Sequence, residues 1–155
     1  MTNSIDKFSY ANFEQVRMTH LSLNLDVNFD DKVLDGSATI DFKVVDPKAH
    51  ILKLDTKDLT ISSVHGFDRN KKWVSLDFNL TEKDKVLGSM LSIPFSKGMN
   101  KVKVNYRTSP TAEGLQWLSP AQTAGKKHPY LFSQAQALNA RTMAPVQDTP
   151  AVRIT

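Results

Sequence analysis

Residues 20–45 read HLSLNLDVNFDDKVLDGSATIDFKVV. Leu21, Leu23, Leu25, Val27 and Phe29 alternate with Ser22, Asn24, Asp26 and Asn28. Five apolar positions in step at period two predict a half-buried strand, because successive strand side chains point to opposite faces. Asp30-Asp31-Lys32 reads as a turn. Leu34, Ala38, Ile40, Phe42 and Val44 then alternate with Ser37, Thr39, Asp41 and Lys43, which gives a return strand. The stretch is a β-hairpin, and Gly36, in phase with the apolar set, marks a bulge or a close approach.

The same period recurs on either side. Residues 1–15 are polar and predict an extended arm. Asp46-Pro47 ends the hairpin. Ile51, Leu52 and Leu54 open a short run, Asp55-Thr56-Lys57-Asp58 breaks it, and Leu59, Ile61 and Val64 resume it. Val74 to Leu80 and Val102 to Tyr106 alternate again, Val86 to Phe95 reads as another strand or a pair of short strands around Gly88, and His65-Gly66, Asp68-Arg69-Asn70 and residues 96–100 read as turns. Residues 108–128 read as a long irregular segment holding Trp117. Ala137 to Met143 predicts a short helix, stopped by Pro145. Ala151 to Thr155 reads as the start of another strand. No helical period of useful length appears before residue 134. The expected fold is all-β: an antiparallel multi-stranded sheet or sandwich, with a short helix after residue 136.

A chain of 155 residues is enough for one domain with a core. It has no cysteine, which excludes disulfides, thiolate zinc sites and thiol catalysis together. The first residues show no basic segment followed by an apolar run, and no stretch is long enough to cross a bilayer. No membrane partner is expected, and a cytoplasmic location is. The net charge is +4, but the lysines are scattered and interleaved with aspartates. A solvated surface accounts for that pattern, so no nucleic-acid partner is expected.

The chemistry of bond cleavage is hard to find. His20, His50, His65 and His128 are far apart, and none stands in a His-Glu-x-x-His helix. The three glutamates, Glu14, Glu82 and Glu113, lie away from them. Glycines are too sparse for a phosphate loop, and there is no Gly-x-Ser-x-Gly elbow. Trp117 reads as a pin burying a large area rather than as a stacking platform.

The stretch from Tyr130 to Ala137, YLFSQAQA, reads as one strand ending in a polar face. Gln134 and Gln136 are two apart, so an extended chain aims both amides to one side. A primary amide both donates and accepts, and suits a peptide backbone. Strand glutamines that merely face solvent are common, and the residues alone leave both readings open.

Leu115-Gln116-Trp117-Leu118, the run His128 to Ala137, Arg141, and Pro145-Val146-Gln147-Asp148-Thr149-Pro150 resemble the leukotriene A(4) hydrolase branch of the zinc aminopeptidases, peptidase family M1. His20 to Leu25 and Leu34 to Ala38 resemble the opening of that family. The resemblance implies that residues 1–155 are a saddle-like N-terminal β domain, truncated before its last strand. The parent would be a zinc metalloaminopeptidase acting on peptides, and some relatives also open a lipid epoxide. The zinc-binding domain that completes the family's machinery is not in this sequence, so the chain alone is expected to be inactive and metal-free.

The resemblance also assigns residues. Gln134, Ala135, Gln136 and Ala137 would form the substrate-binding segment, holding the N-terminal end of a peptide. Arg141 and Asp148 would be structural, pairing and capping loops. A cis peptide bond is implied between Gln136 and Ala137, the alternative being a trans bond with a bulge. The expected partners are peptide substrates and the absent catalytic domain. An unfinished edge at Ala151–Thr155 would invite self-association. The competing reading is a stand-alone, non-catalytic β-sandwich serving as a binding or scaffold module.

Overall fold

The computed structural model describes residues 6–155 and is all-β among them. Five residues of the expected N-terminal arm lie outside the described part. Strands β1 (Val16–Asn28) and β2 (Val33–Val44) form the long hairpin. They are followed by β3 (Ile51–Thr56), β4 (Thr60–Phe67), β5 (Trp73–Leu76), β6 (Asn79–Leu80), β7 (Ser89–Pro94), β8 (Lys101–Arg107), β9 (Leu115–Leu118) and β10 (Tyr130–Ser133). All pairings between them are antiparallel. Five strands make one sheet in the order β1-β2-β8-β4-β5, three make a second, β3-β7-β6, and β9 pairs with β10.

Alternation explains the core. Ala38, Ile40 and Phe42 of β2 and Val102, Val104 and Tyr106 of β8 are buried, and meet Leu52 and Leu54 of β3 with Leu91 and Ile93 of β7. The main core therefore lies between the five-stranded and three-stranded sheets. Each such side chain contributes roughly 1.5–3 kcal/mol by leaving water.

The first strand departs from its expected burial. A bulge between Met18 and His20 adds one residue to β1. Before it the even positions Val16 and Met18 are buried; after it the odd set Leu21 to Val27 takes their phase. Leu21 and Leu25 pack on the core, but Leu23 is 51% exposed and Val27 47%. The regular leucine row is thus only partly covered, because β1 is an edge strand. Gly36, opposite Leu25, has φ 153, and a Cβ there would strike the carbonyl of Asn24.

Further expectations are corrected. His65-Gly66 is not a turn but part of β4. The run 74–80 is two strands, β5 and β6, which belong to different sheets. Asp55 and Thr56 are not a polar break but the buried end of β3. The segment 108–128 is not irregular throughout, since β9 lies within it. Ala151–Thr155 is a turn and irregular backbone rather than a strand. Thr155 bonds β1: its N–H donates to the Thr19 carbonyl at 3.3 Å, and its carbonyl accepts from Leu21 N–H at 3.1 Å. The helical element expected after residue 136 is a single 3-10 turn, Ala140–Thr142, and no α-helix occurs among the described residues.

Candidate functional site

The segment from Gln134 to Pro150 is held by polar bonds rather than by a strand ladder. β10 stops at Ser133, four residues short of the expected end. The register Ser133 to Leu115 and Phe132 to Gln116 brings the chain beside Gly114. There Gln134 N–H donates to the Gly114 carbonyl at 2.9 Å, and Gly114 N–H donates to Thr142 Oγ1 at 3.0 Å. A Cβ at Gly114 would lie 2.7 Å from Thr142 Oγ1 and 2.8 Å from the Asn139 carbonyl, so glycine is required by contact.

The two glutamines do not act as a matched pair. Gln134 Oε1 accepts the backbone N–H of Gln136 at 3.0 Å, which turns the chain. Asn139 N–H then donates to the Ala135 carbonyl at 2.8 Å, and its Nδ2 to the Gln136 carbonyl at 3.3 Å. The Gln136–Ala137 peptide bond is cis. Gln134, Ala135, Gln136 and Ala137 are all exposed. Ala135, Gln136 and Ala137 line a groove of about 420 Å³ with Leu21, Val146 and Val152; Gln134 is not part of its lining. The extended-strand geometry predicted for residues 134–137 is therefore replaced by a tight turn.

Behind this turn lies a buried charge cluster. Arg141 is fully buried. Its Nε donates to Asp148 Oδ2 at 3.0 Å, Nη1 to the Leu87 carbonyl at 3.0 Å, and Nη2 to the Phe8 carbonyl at 2.8 Å. Asp55, also fully buried, lies 3.8 Å from Nη1. It accepts from Ser9 Oγ, Tyr10 N–H at 2.7 Å and Asp148 N–H at 2.9 Å. Burial raises the Asp55 pKa above the ordinary carboxylate value, opposed by the Ser9 and Tyr10 bonds and by Arg141. One cluster thus ties the N-terminal arm, β3 and the 136–150 segment together.

Two residues of this framework escaped the sequence reading. Gln147, buried, donates from Nε2 to the Val16 carbonyl at 2.9 Å and accepts Met18 N–H at 2.9 Å, so it fills the hydrogen-bonding gap of β1 before its bulge. Asp55 is the other. Its only local signal is a charged residue in phase with the partly buried Ile51 and Lys53 of β3, which points to solvent rather than to a core. Trp117 packs edge-on against Phe29 at 5.5 Å between ring centres and joins the small cluster of Leu34, Ala112 and Leu115, which agrees with a pinning role.

Among the described residues no three His, Asp or Glu side chains come together to hold a metal ion. His20, on β1, contacts Thr155 Oγ1 and Ser22 Oγ instead. The donor set of the described residues does not fit a zinc centre. No helix of the described residues is long and apolar enough to cross a membrane. What the site offers is a free primary amide, Gln136, at the rim of a groove with apolar walls.

Comparison with known proteins agrees with this architecture. The chain is 38% identical over 154 residues to leucine aminopeptidase 2 of Yarrowia lipolytica, covering 97% of this chain and 23% of that protein. It superposes on native leukotriene A4 hydrolase from Saccharomyces cerevisiae with a TM-score of 0.89 and 32% identity, covering 100% of this chain and 24% of that one. An M1 zinc metallopeptidase from Deinococcus radiodurans, solved with a Tyr-Ser-Ala substrate, shares the fold at a TM-score of 0.62 and 14% identity, over 94% of this chain and 32% of that one. The chain thus spans about a quarter of the length of the curated relatives it matches. The model of the Peptidase M1 N-terminal domain matches residues 17–155, and the chain belongs to that family.

Proposed function

We propose that this chain is the substrate-side β domain of a zinc-dependent aminopeptidase and helps to hold the N-terminal end of a peptide. The observation that carries the reading is the placement of Gln136 and Ala137 on the groove, with the Gln136 amide free to donate and accept. Ala135 contributes to the same wall, and Gln134 holds the turn through Gln136 N–H. Zinc would be bound by residues outside this chain, since among the described residues no three histidines or carboxylates converge. When bound, that metal would polarise the scissile carbonyl and activate water. The 155-residue chain alone is proposed to bind without hydrolysing. A cytoplasmic location belongs to the same proposal and is checked by fractionation.

The test is Gln136→Ala in a longer protein carrying this domain. Loss of one hydrogen bond to substrate is expected to raise KM for aminoacyl arylamides by about 3–10-fold, with zinc content unchanged. Unchanged kinetics would return Gln136 to the solvent-facing reading.

A further inference from the structure

Asn139 is the N-cap of the 3-10 turn Ala140–Thr142. An asparagine at that position ordinarily accepts a backbone N–H of the turn it precedes. This one makes no such bond. Its Nδ2 instead donates backwards, to the Gln136 carbonyl at 3.3 Å. The main chain of Asn139 is held on both sides. Its N–H donates to the Ala135 carbonyl at 2.8 Å, and its carbonyl accepts from Thr142 Oγ1 at 2.7 Å and from Thr142 N–H at 3.1 Å. Thr142 Oγ1 in turn accepts Gly114 N–H at 3.0 Å. A run of hydrogen bonds therefore leads from the residue preceding β9, through Thr142 and Asn139, to the backbone of Gln136.

Gln136 is bracketed by two side-chain amides. Gln134 Oε1 accepts its N–H, and Asn139 Nδ2 donates to its carbonyl. Gln136 lines the groove, and Asn139 does not. We propose that Asn139 is a positioning residue, which acts on a bound peptide only through Gln136, by fixing the backbone from which the Gln136 amide reaches the peptide's N-terminal end. The proposal rests on the peptide-binding reading of Gln136 given above. A group held in place before binding loses less freedom when the ligand arrives, so the effect falls on affinity.

Two measurements test this. In the 155-residue chain, Asn139→Ala removes the Nδ2 bond and keeps the main-chain bonds of residue 139. The heteronuclear NOE of the Gln136 and Ala137 amides is expected to fall, with far-UV circular dichroism unchanged. Asn139→Ser, a residue favoured at N-caps and one bond shorter in reach, is the second variant should the alanine chain fold poorly. Unchanged order at Gln136 in a folded variant overturns the inference. In a longer protein carrying this domain, Asn139→Ala should raise KM for aminoacyl arylamides about threefold, with kcat and zinc content unchanged. In a Gln136→Ala background the same change should raise KM no further, because its only route to substrate is gone. If Gln136→Ala raises KM while Asn139→Ala does not, or if the two effects multiply, this inference fails and the reading of Gln136 stands. If Gln136→Ala itself leaves KM unchanged, both fall.

Discussion

Between β2 and β8, Ala38 stands opposite Val104 and Ile40 opposite Val102, in a ladder with no break across seven residue pairs. Between Gln134 and Pro150 the only ladder-like contact is the bridge of Val146 with Asp55. The first region needs any apolar residue of suitable volume at every second position. The second needs particular side chains, because Thr142, Asn139, Gln134, Arg141 and Asp148 each satisfy a backbone or charged group that no strand partner reaches. Tolerance to substitution should therefore differ between them.

The largest effect is expected at Arg141. Arg141→Ala leaves Asp55 and Asp148 without their cation and frees the Leu87 and Phe8 carbonyls. The expected cost is about 3–5 kcal/mol in urea unfolding. Ile40→Val, at an equally buried position of the β2 face, should cost about 0.5–1.5 kcal/mol. Equal costs at the two sites would break the contrast.

Gly114→Ala sharpens it at the junction of the two regions. The added methyl has no room against Thr142 Oγ1 and the Asn139 carbonyl, and about 1–3 kcal/mol is expected to be lost. Amide chemical-shift changes should concentrate at Gln134–Asn139 and spare β2 and β8. Changes spread through the core would show that the turn is not a separate unit.

The smallest effect is at high pH. Tyr106, on the core face of β8, donates its hydroxyl to the Met143 carbonyl at 2.8 Å, and burial raises its pKa above the ordinary phenol value. The folded state then keeps a proton that the unfolded chain loses above about pH 10. This group's stability contribution is complete below that pH and falls as pH rises towards the folded pKa, by up to about 1.4 kcal/mol per pH unit. Tyr106→Phe should remove that extra slope in urea unfolding between pH 10 and 11. An unchanged slope would mean that the phenol is not shielded.

Period-two alternation made the strands legible. Val102, Val104 and Tyr106 could be placed on one buried face from spacing alone, because a sheet buries every second residue whatever its partners are. The all-β class and the long hairpin follow from the same local rule. Resemblance in the motifs of residues 115–150 pointed to the family and to the cis bond at Gln136–Ala137. The resemblance gave Arg141 and Asp148 structural roles without naming their partners; they bond each other at 3.0 Å.

The order of residues along the chain carries no information about which distant groups meet, and the tertiary structure decided the rest on that ground. Asp55 looks like part of a polar break until Arg141, 86 positions later, and the arm at Ser9 and Tyr10 surround it. Gln134 and Gln136 look like twin ligands until Gly114 halts the strand and one amide is spent on the turn. The leucines of β1 look half-buried until the sheet order leaves that strand at the edge. Local periodicity determines which residues share a face; only the packing of remote segments determines whether that face is covered and which polar groups find partners.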